Sequence, residues 1–398
     1  NRAPDNKGGA GYDQTRADFD FDRGSNAAAS RINSSGLIEK YRENLLLQSN
    51  AFSNAAWTKT ASSIASNQTD PNGGTNAFKI VEDTSTNYHR IFGGYTMVSG
   101  SVYAISVTAK AAGRNYLTLS NNVSAGTSVF NLTNGSIATQ ESNVIDAKTT
   151  DLGDGWYRCE MVALGDKSGS YNVFIGADDD GTIGTYLGDG TSGVLIYQSQ
   201  LETGLVATEY LNSTSVTGKA GVLVDLPRIN YDANGENGAL LLEPSRANGN
   251  ANSEYFSGTG FGIVAATATP NVTTSPEGVI NATSLIGSTS SAQHIIYTTG
   301  LSTYNGDTTI SIFAKANGYD YFVLGAGAQG TNKPVLFNIA NGTKVGNFTG
   351  WASYGAPIDS DIEDYGNGWY RLSVTFAATS GTNTNMFFGS MPTDSVAS

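Results

Sequence analysis

Along Tyr103-Ala104-Ile105-Ser106-Val107-Thr108-Ala109, positions 103, 105, 107 and 109 are more apolar than their neighbours. A two-residue period marks a strand with one buried face. Ile310-Ser311-Ile312-Phe313-Ala314 keeps the same buried positions. Trp156-Tyr157-Arg158-Cys159-Glu160-Met161-Val162 and Trp369-Tyr370-Arg371-Leu372-Ser373-Val374-Thr375-Phe376 follow glycine-rich turns and read as central strands. Asn134-Gly135 and Asn341-Gly342 sit between apolar runs and predict type I′ hairpins. No stretch sustains the 3.6-residue apolar spacing of a helix. Many short strands with no helices between them predict an all-β chain of antiparallel jelly-roll sandwiches.

The same pattern occurs twice. Tyr88-His89-Arg90 matches Gln293-His294-Ile295, and Gly113-Arg114-Asn115-Tyr116 matches Gly318-Tyr319-Asp320-Tyr321. The offset is 205 at His89/His294, Lys110/Lys315, Gly113/Gly318 and Tyr116/Tyr321. It grows to 207 at Asn134/Asn341 and to 213 at Trp156/Trp369, always between matched blocks. Upstream, Arg31-Ile32-Asn33 pairs with Arg228-Ile229-Asn230, and Leu45-Leu46-Leu47 with Leu240-Leu241-Leu242. This is a duplicated domain with varying loop lengths. A parallel β-helix would repeat roughly every 20–25 residues and is disfavoured.

The expected organisation is an extended connector over 1–43, a first sandwich over 44–211, a second connector over 212–239 and a second sandwich over 240–398. A short strand is expected at Val222-Leu223-Val224. After Trp156 the first unit runs on through Gly193-Val194-Leu195-Ile196-Tyr197 to Tyr210, whereas 29 residues follow Trp369. The second unit is therefore expected to lack its closing strand. The polypeptide is expected to be cleaved or to continue beyond Ser398, and, since it begins with Asn, to start inside a longer chain.

Composition narrows the function. Charged residues make up 14% of the chain, against roughly 25% in an average globular protein. The net charge of −13 repels phosphate backbones and argues against nucleic-acid binding. No apolar run is long enough for a membrane helix, and no secretory signal peptide is visible. The single cysteine, Cys159, forms no intrachain disulfide and reads as a small buried residue.

Two histidines and one cysteine leave serine, cysteine and zinc chemistry without the partners each needs. Only a carboxylate pair of glycosidase type stays open. A non-enzymatic protein is expected. The repeat-equivalent His89 and His294 read as hydrogen-bonded strand residues, with sugar or metal contact as the alternative. Trp156 and Trp369 read as core. Sugars stack their apolar faces on exposed rings, so Tyr95, Tyr186, Trp351 and Tyr354, aromatics outside the repeat pattern, are the candidate stacking platforms. Asp178-Asp179-Asp180, with Asp189 nearby, offers oxygen ligands for a structural Ca²⁺ but lacks the spacing of an EF-hand. No other cofactor is expected.

Two motif sets suggest a family. Asp18-Phe19-Asp20-Phe21-Asp22-Arg23-Gly24-Ser25, Arg31-Ile32-Asn33 and Gly36-Leu37-Ile38-Glu39 lead to Asn44-Leu45-Leu46-Leu47. Pro227-Arg228-Ile229-Asn230-Tyr231 leads to Leu240-Leu241-Leu242-Glu243-Pro244. With Gly-Trp-Tyr-Arg, Gln200-Leu201-Glu202-Thr203-Gly204 and Thr208-Glu209-Tyr210, these resemble bacteriophage tail and fibre-like structural proteins carrying carbohydrate-binding-type sandwiches. The resemblance implies a virion location, virion-protein partners, a homo-oligomer such as a trimer, and a cell-surface glycan. Alternatives are a head-attached decoration protein and the carbohydrate-binding module of a secreted bacterial protein. A third is a polysaccharide depolymerase.

Overall fold

The computed structural model describes residues 30–121, 126–223, 226–242, 248–250, 252–258, 260–298, 306–327, 334–347, 357–378 and 385–392. Among them there are strands and turns and no helix. The chain divides into two compact units, residues 1–42 with 219–247, and residues 43–218 with 248–398.

The larger unit contains both copies of the duplicated domain. In the first copy the strands are β1 (Trp57–Thr60), β2 (Ser62–Gln68), β3 (Ala77–Glu82), β4 (His89–Met97), β5 (Val102–Ala111), β6 (Tyr116–Asn121), β7 (Gly126–Asn131), β8 (Ile137–Gln140), β9 (Val144–Gly153), β10 (Trp156–Leu164), β11 (Gly169–Asp178) and β12 (Gly193–Thr203). They form two six-stranded antiparallel sheets, ordered β8-β7-β6-β11-β4-β1 and β9-β10-β5-β12-β3-β2. Ile91, Leu117, Leu119 and Ile175 of one sheet meet Ile80, Ile105, Val107, Val194 and Ile196 of the other in one dry core. Each such side chain contributes about 1.5–3 kcal/mol on burial.

The period-2 reading holds for β5: Tyr103, Ile105, Val107 and Ala109 all face this core. Its opposite face is covered as well, because Ala104 and Val162 pack under Leu205 and Ala207.

The Asn-Gly hairpins form with a different turn. Gly135 has φ +73 and Gly342 φ +72, but neither preceding asparagine has a positive φ. A type I′ turn needs both. In both copies the first loop residue is anchored: Leu132 is 2% exposed and its N–H bonds Asn115 O at 2.7 Å, and Ile339 is 4% exposed and its N–H bonds Asp320 O at 2.7 Å.

The second copy comprises β13 (Phe261–Val264), β14 (Ala266–Thr274), β15 (Ile280–Gly287), β16 (Ile295–Thr298), β17 (Gly306–Lys315), β18 (Tyr321–Gly327), β19 (Val335–Asn338), β20 (Thr343–Asn347), β21 (Asp359–Asp364), β22 (Trp369–Ala378) and β23 (Asn385–Met391). One sheet repeats the first copy strand for strand, in the order β13-β16-β23-β18-β19-β20. The other is split into β14-β15 and β17-β22-β21. In the first copy β12 pairs with β5 on one side and β3 on the other. Among the described residues nothing stands in that place between β17 and β15. The consequence shows along β17, whose side chains alternate between exposed and half-buried where those of β5 are buried.

The smaller unit corrects the expectation of extended connectors. Ser30–Ile32 pairs with Ile38–Lys40, and Ile229–Asn230 with Ala239–Leu240, giving two hairpins. Asn33 Oδ1 accepts from the N–H groups of Ser35 and Leu37, and Asp232 Oδ1 from those of Asn234 and Glu236. Such side-chain bonds bend the chain back. The hairpins also bond each other, Ile32 N–H to Asn230 Oδ1 at 2.7 Å and Tyr231 N–H to Ile32 O at 3.0 Å.

Leu45-Leu46-Leu47 and Leu240-Leu241-Leu242 do not share a role. Leu46 is core, 1% exposed, while its counterpart Leu241 is only half-buried. The structural counterpart of the Phe52–Trp57 ring pair is Phe256–Phe261, at centroid distances of 5.1 and 5.4 Å. Val222 and Leu223 lie outside any strand, just after Gly221 turns the chain at φ +82. Val224 and residues 1–29 lie outside the described residues.

Candidate functional site

The outer face of the first copy's β8-β7-β6-β11-β4-β1 sheet carries the feature that the core does not require. Along β4, His89, Ile91, Gly93, Tyr95 and Met97 are buried, so Arg90, Phe92 and Gly94 point the other way. Cross-strand register sets Thr58, Phe92, Phe174 and Ser120 side by side in one row, and Thr60, Arg90, Gly176 and Thr118 in the next. Phe92 and Phe174 stand 5.1 Å apart. The Arg90 guanidinium carbon lies 4.1 Å from the Phe174 ring centroid and 4.7 Å from that of Tyr88. Tyr88 is 39% exposed. Gly176 leaves room for this, since a Cβ there would sit 2.9 Å from that of Arg90. Phe174 is itself 8% exposed beneath this cation, so Tyr88 and the half-buried Phe92 are the rings left to meet a ligand. A flat cation beside them, flanked by hydroxyls, suits a polyol with one apolar face.

The sequence candidates fall elsewhere. Tyr95 is a core residue on β4, 7% exposed and 5.5 Å from the Tyr103 ring, and burial holds its hydroxyl well above the usual tyrosine range. Tyr186 is 8% exposed and offers no face to a sugar. Its ring packs on His89 at 4.6 Å, and its hydroxyl donates to Glu82 Oε2 at 2.8 Å. Trp351 and Tyr354 lie outside the described residues.

Both histidines are fasteners. His89 is buried, with Nδ1 facing Ala61 O at 2.7 Å and Nε2 facing Tyr186 O at 3.2 Å. His294 Nδ1 faces Ala265 O at 2.6 Å. Ala61 and Ala265 both have φ 46, a left-handed backbone costing an alanine about 1–2 kcal/mol. The duplicated histidine holds that strained residue in each copy.

Glu82 is the hub beside His89. It accepts from Arg114 Nε at 2.8 Å and Nη2 at 2.5 Å, from the Tyr186 hydroxyl, and from Asp189 N–H at 2.7 Å. Burial pushes its carboxyl up, but Arg114, Asp189 N–H and Tyr186 together bring it below the usual glutamate range. Asp189 therefore belongs to a turn: Oδ1 accepts from Thr191 and Ser192 and Oδ2 from Ser192 Oγ.

Asp178, Asp179 and Asp180 do converge, with one oxygen from each within 4.8 Å of the others. Carboxylate oxygens are the ligands Ca²⁺ prefers. Asp178 Oδ1 is already committed to Gly181 N–H at 2.7 Å, and Asp180 Oδ1 to Thr182 N–H and Oγ1. Asp178 is 3% exposed; burial, against its turn hydrogen bonds and reinforced by Asp180 and Asp179, pushes its carboxyl up to about 6. An acid whose folded value is raised stabilises below its unfolded value, and this is lost as pH rises through about 6. Asp178→Asn keeps the Oδ1 acceptor and is expected to stabilise the protein at pH 7.5 by roughly 2 kcal/mol, an advantage gone by pH 4. Thermal melts of both proteins across that range measure it; a variant less stable at pH 7.5 contradicts it.

The residues of the Gln200-Leu201-Glu202 and Gly-Trp-Tyr-Arg motifs are structural here. Glu202 accepts from Gln200 Nε2, Thr208 N–H and Thr208 Oγ1, and Gln200 Oε1 from Leu211 N–H. Arg158 donates to Thr208 O and lies 3.4 Å from Glu160. Burial raises the Glu160 carboxyl, opposed by Arg158 and Lys148. Glu202, Gln200 and Arg158 together hold Thr208 and Leu211 against the second sheet. Cys159 is fully buried, and burial pushes its thiol well up.

No family model matches the chain, and no curated protein sequence matches it. Among solved structures it is similar to one titled "CBM4 structure and function", at 12% identity, 45% of this chain, 97% of that chain and TM-score 0.21. A Paenibacillus cycloisomaltooligosaccharide glucanotransferase with cycloisomaltoheptaose aligns at 7% identity over 87% of this chain and 47% of its own, TM-score 0.21. The M60 catalytic domain with CBM51-1 and CBM51-2 of Clostridium perfringens ZmpB aligns at 8% identity over 91% and 43%, TM-score 0.21. At this TM-score nothing about ligand or activity passes from them to this chain.

Proposed function

We propose that the chain is a non-catalytic glycan-binding protein whose first sandwich takes a saccharide on the outer face of the β4–β11 sheet. The observation that carries the reading is the Arg90 guanidinium lying over Phe174, a ring only 8% exposed, with Tyr88 and the half-buried Phe92 as the more open rings beside it and Thr and Ser neighbours around them. Rings stack on the apolar face of a pyranose, and the surrounding hydroxyls and guanidinium bond its polar edge. The absence of a catalytic role is part of the proposal. Its support is that both histidines, Cys159, Glu82 and Glu202 are occupied in holding the fold.

The motif resemblance supports a finer reading, a bacteriophage appendage in which such sandwiches, as a homo-oligomer, present the face to a host-cell glycan. The experiment is a glycan array probed with the whole protein. Binding to a defined saccharide set, lost in Phe92→Ala, is expected; signal at background for every saccharide rejects the reading.

A further inference from the structure

We infer that Arg90 makes this face selective for saccharides that carry a carboxylate, a class such as uronic or nonulosonic acids. The inference rests on the glycan-binding reading above and names the ligand class within it.

Arg90 is an unusual cation in this chain. Acidic residues outnumber basic ones 35 to 22. Arg31, Arg114, Arg158 and Arg371 each meet a carboxylate, Glu39, Glu82, Glu160 and Glu363 respectively. Arg90 meets none among the described residues, and its Nε is buried without a hydrogen-bond partner. Its guanidinium lies against the rings of Tyr88 and Phe174. Desolvating a guanidinium without an anion is unfavourable, and burial lowers its affinity for the proton accordingly. The rings fix the plane of the group, and a fixed planar fork is the geometry that binds a planar carboxylate through two parallel bonds.

The second copy shows that the fold does not need this cation. Register places Ile295 where Arg90 stands, Tyr297 at Phe92 and Phe387 at Phe174. It also places Val323 at Thr118 and Leu336 at Val129. Val323, Leu336 and Phe387 there form an apolar cluster with Ile295, Tyr297 and Tyr321 against them. The same sheet position is satisfied by an aliphatic side chain, so the guanidinium of the first copy answers to something other than folding.

Charge also limits the ligand. A protein of net charge −13 repels densely charged polyanions. Asp178 stands on β11 two residues from Gly176, a separation of about 7 Å along a strand, with Asp179 and Asp180 beyond it. One carboxylate per sugar repeat, directed to Arg90 and away from these acids, fits that field.

The test is calorimetric titration of the whole protein with five probes: sialyllactose, a hyaluronan tetrasaccharide, the carboxyl-reduced form and a sulfated analogue of whichever binds, and lactose. At least one acidic probe is expected to bind, and carboxyl reduction to weaken it at least tenfold. Arg90→Ile, which installs the residue of the second copy, is expected to do the same with an unchanged melting midpoint. Arg90→Lys keeps the charge but loses the fork and is expected to fall between. Equal binding of acidic and neutral probes, or Arg90→Ile binding like the parent, overturns the carboxylate assignment while the glycan-binding reading survives. A sulfated analogue binding as well as the carboxylate overturns it too. No binding to any probe, together with an array at background, removes both.

Discussion

Replacing Glu82 by alanine is expected to destabilise the first sandwich by about 3–5 kcal/mol, the range for a buried ion pair broken from one side. Glu82 is 2% exposed and ties together two other segments, Arg114 after β5 and the 186–189 loop through the Tyr186 hydroxyl and the Asp189 N–H. Alanine leaves a guanidinium, a phenol and an N–H turned toward an apolar methyl. Glu82→Gln retains one acceptor oxygen and is expected to lose about half as much. The pH dependence has a definite sign. The folded carboxyl lies below its usual value of 4.5, so its stabilisation is present above that pH and is lost as pH falls below it. The gap between the parent and Glu82→Gln should therefore narrow in acid. Urea unfolding followed by Trp57 and Trp156 fluorescence reads the effect. A loss below 1 kcal/mol for Glu82→Ala would show that water replaces the carboxylate at little cost.

Supplying the second sandwich with a copy of the β12 strand is expected to stabilise it by about 5 kcal/mol. In the first copy Val194, Ile196 and Leu201 of that strand are fully buried, each contributing about 1.5–3 kcal/mol. Closing a flexible linker takes part of that back, since loop closure rises with the logarithm of length. The place for the strand is bordered by β17 and β15, which lie in separate sheets. A fusion of residues 179–211 after Ser398 would deliver it with its native lead-in. Amide exchange along Gly306–Lys315 should slow by orders of magnitude on the edge away from β22, and the melting midpoint should rise. Unchanged exchange on that edge would mean the strand has no seat there.

The duplication was legible because matched blocks keep their order and spacing. The structure repeats even its strained positions, Ala61 with Ala265, Asn67 with Asn271 and Asp154 with Asn367, all at φ between 46 and 59. The segment that follows Trp156 has no match after Trp369, and among the described residues no strand pairs with β17 on the edge away from β22. The hairpins at 30–40 and 229–240 were not, because each buries little by itself and is held by reciprocal backbone bonds that leave no apolar period.

The site was the least legible part. Aromatics outside the repeat drew attention to Tyr95 and Tyr186, yet an unmatched tyrosine is as readily a core plug as a platform, and exposure alone decides. The informative signal lay inside a matched block, where Arg90 answers to Ile295 beside two identical histidines. A charge present in one copy and absent from the other, at a position the fold fills equally well with isoleucine, separates ligand recognition from architecture.

The most direct measurement of the central claim is a hydrogen-exchange footprint of the whole protein with and without a saccharide that binds it. Protection is expected in residues 88–97 and 169–178 of the first sandwich, with the equivalent residues 295–298 and 385–391 of the second unchanged. Protection confined to the second sandwich or to the hairpins at 30–40 and 229–240 would contradict the claim.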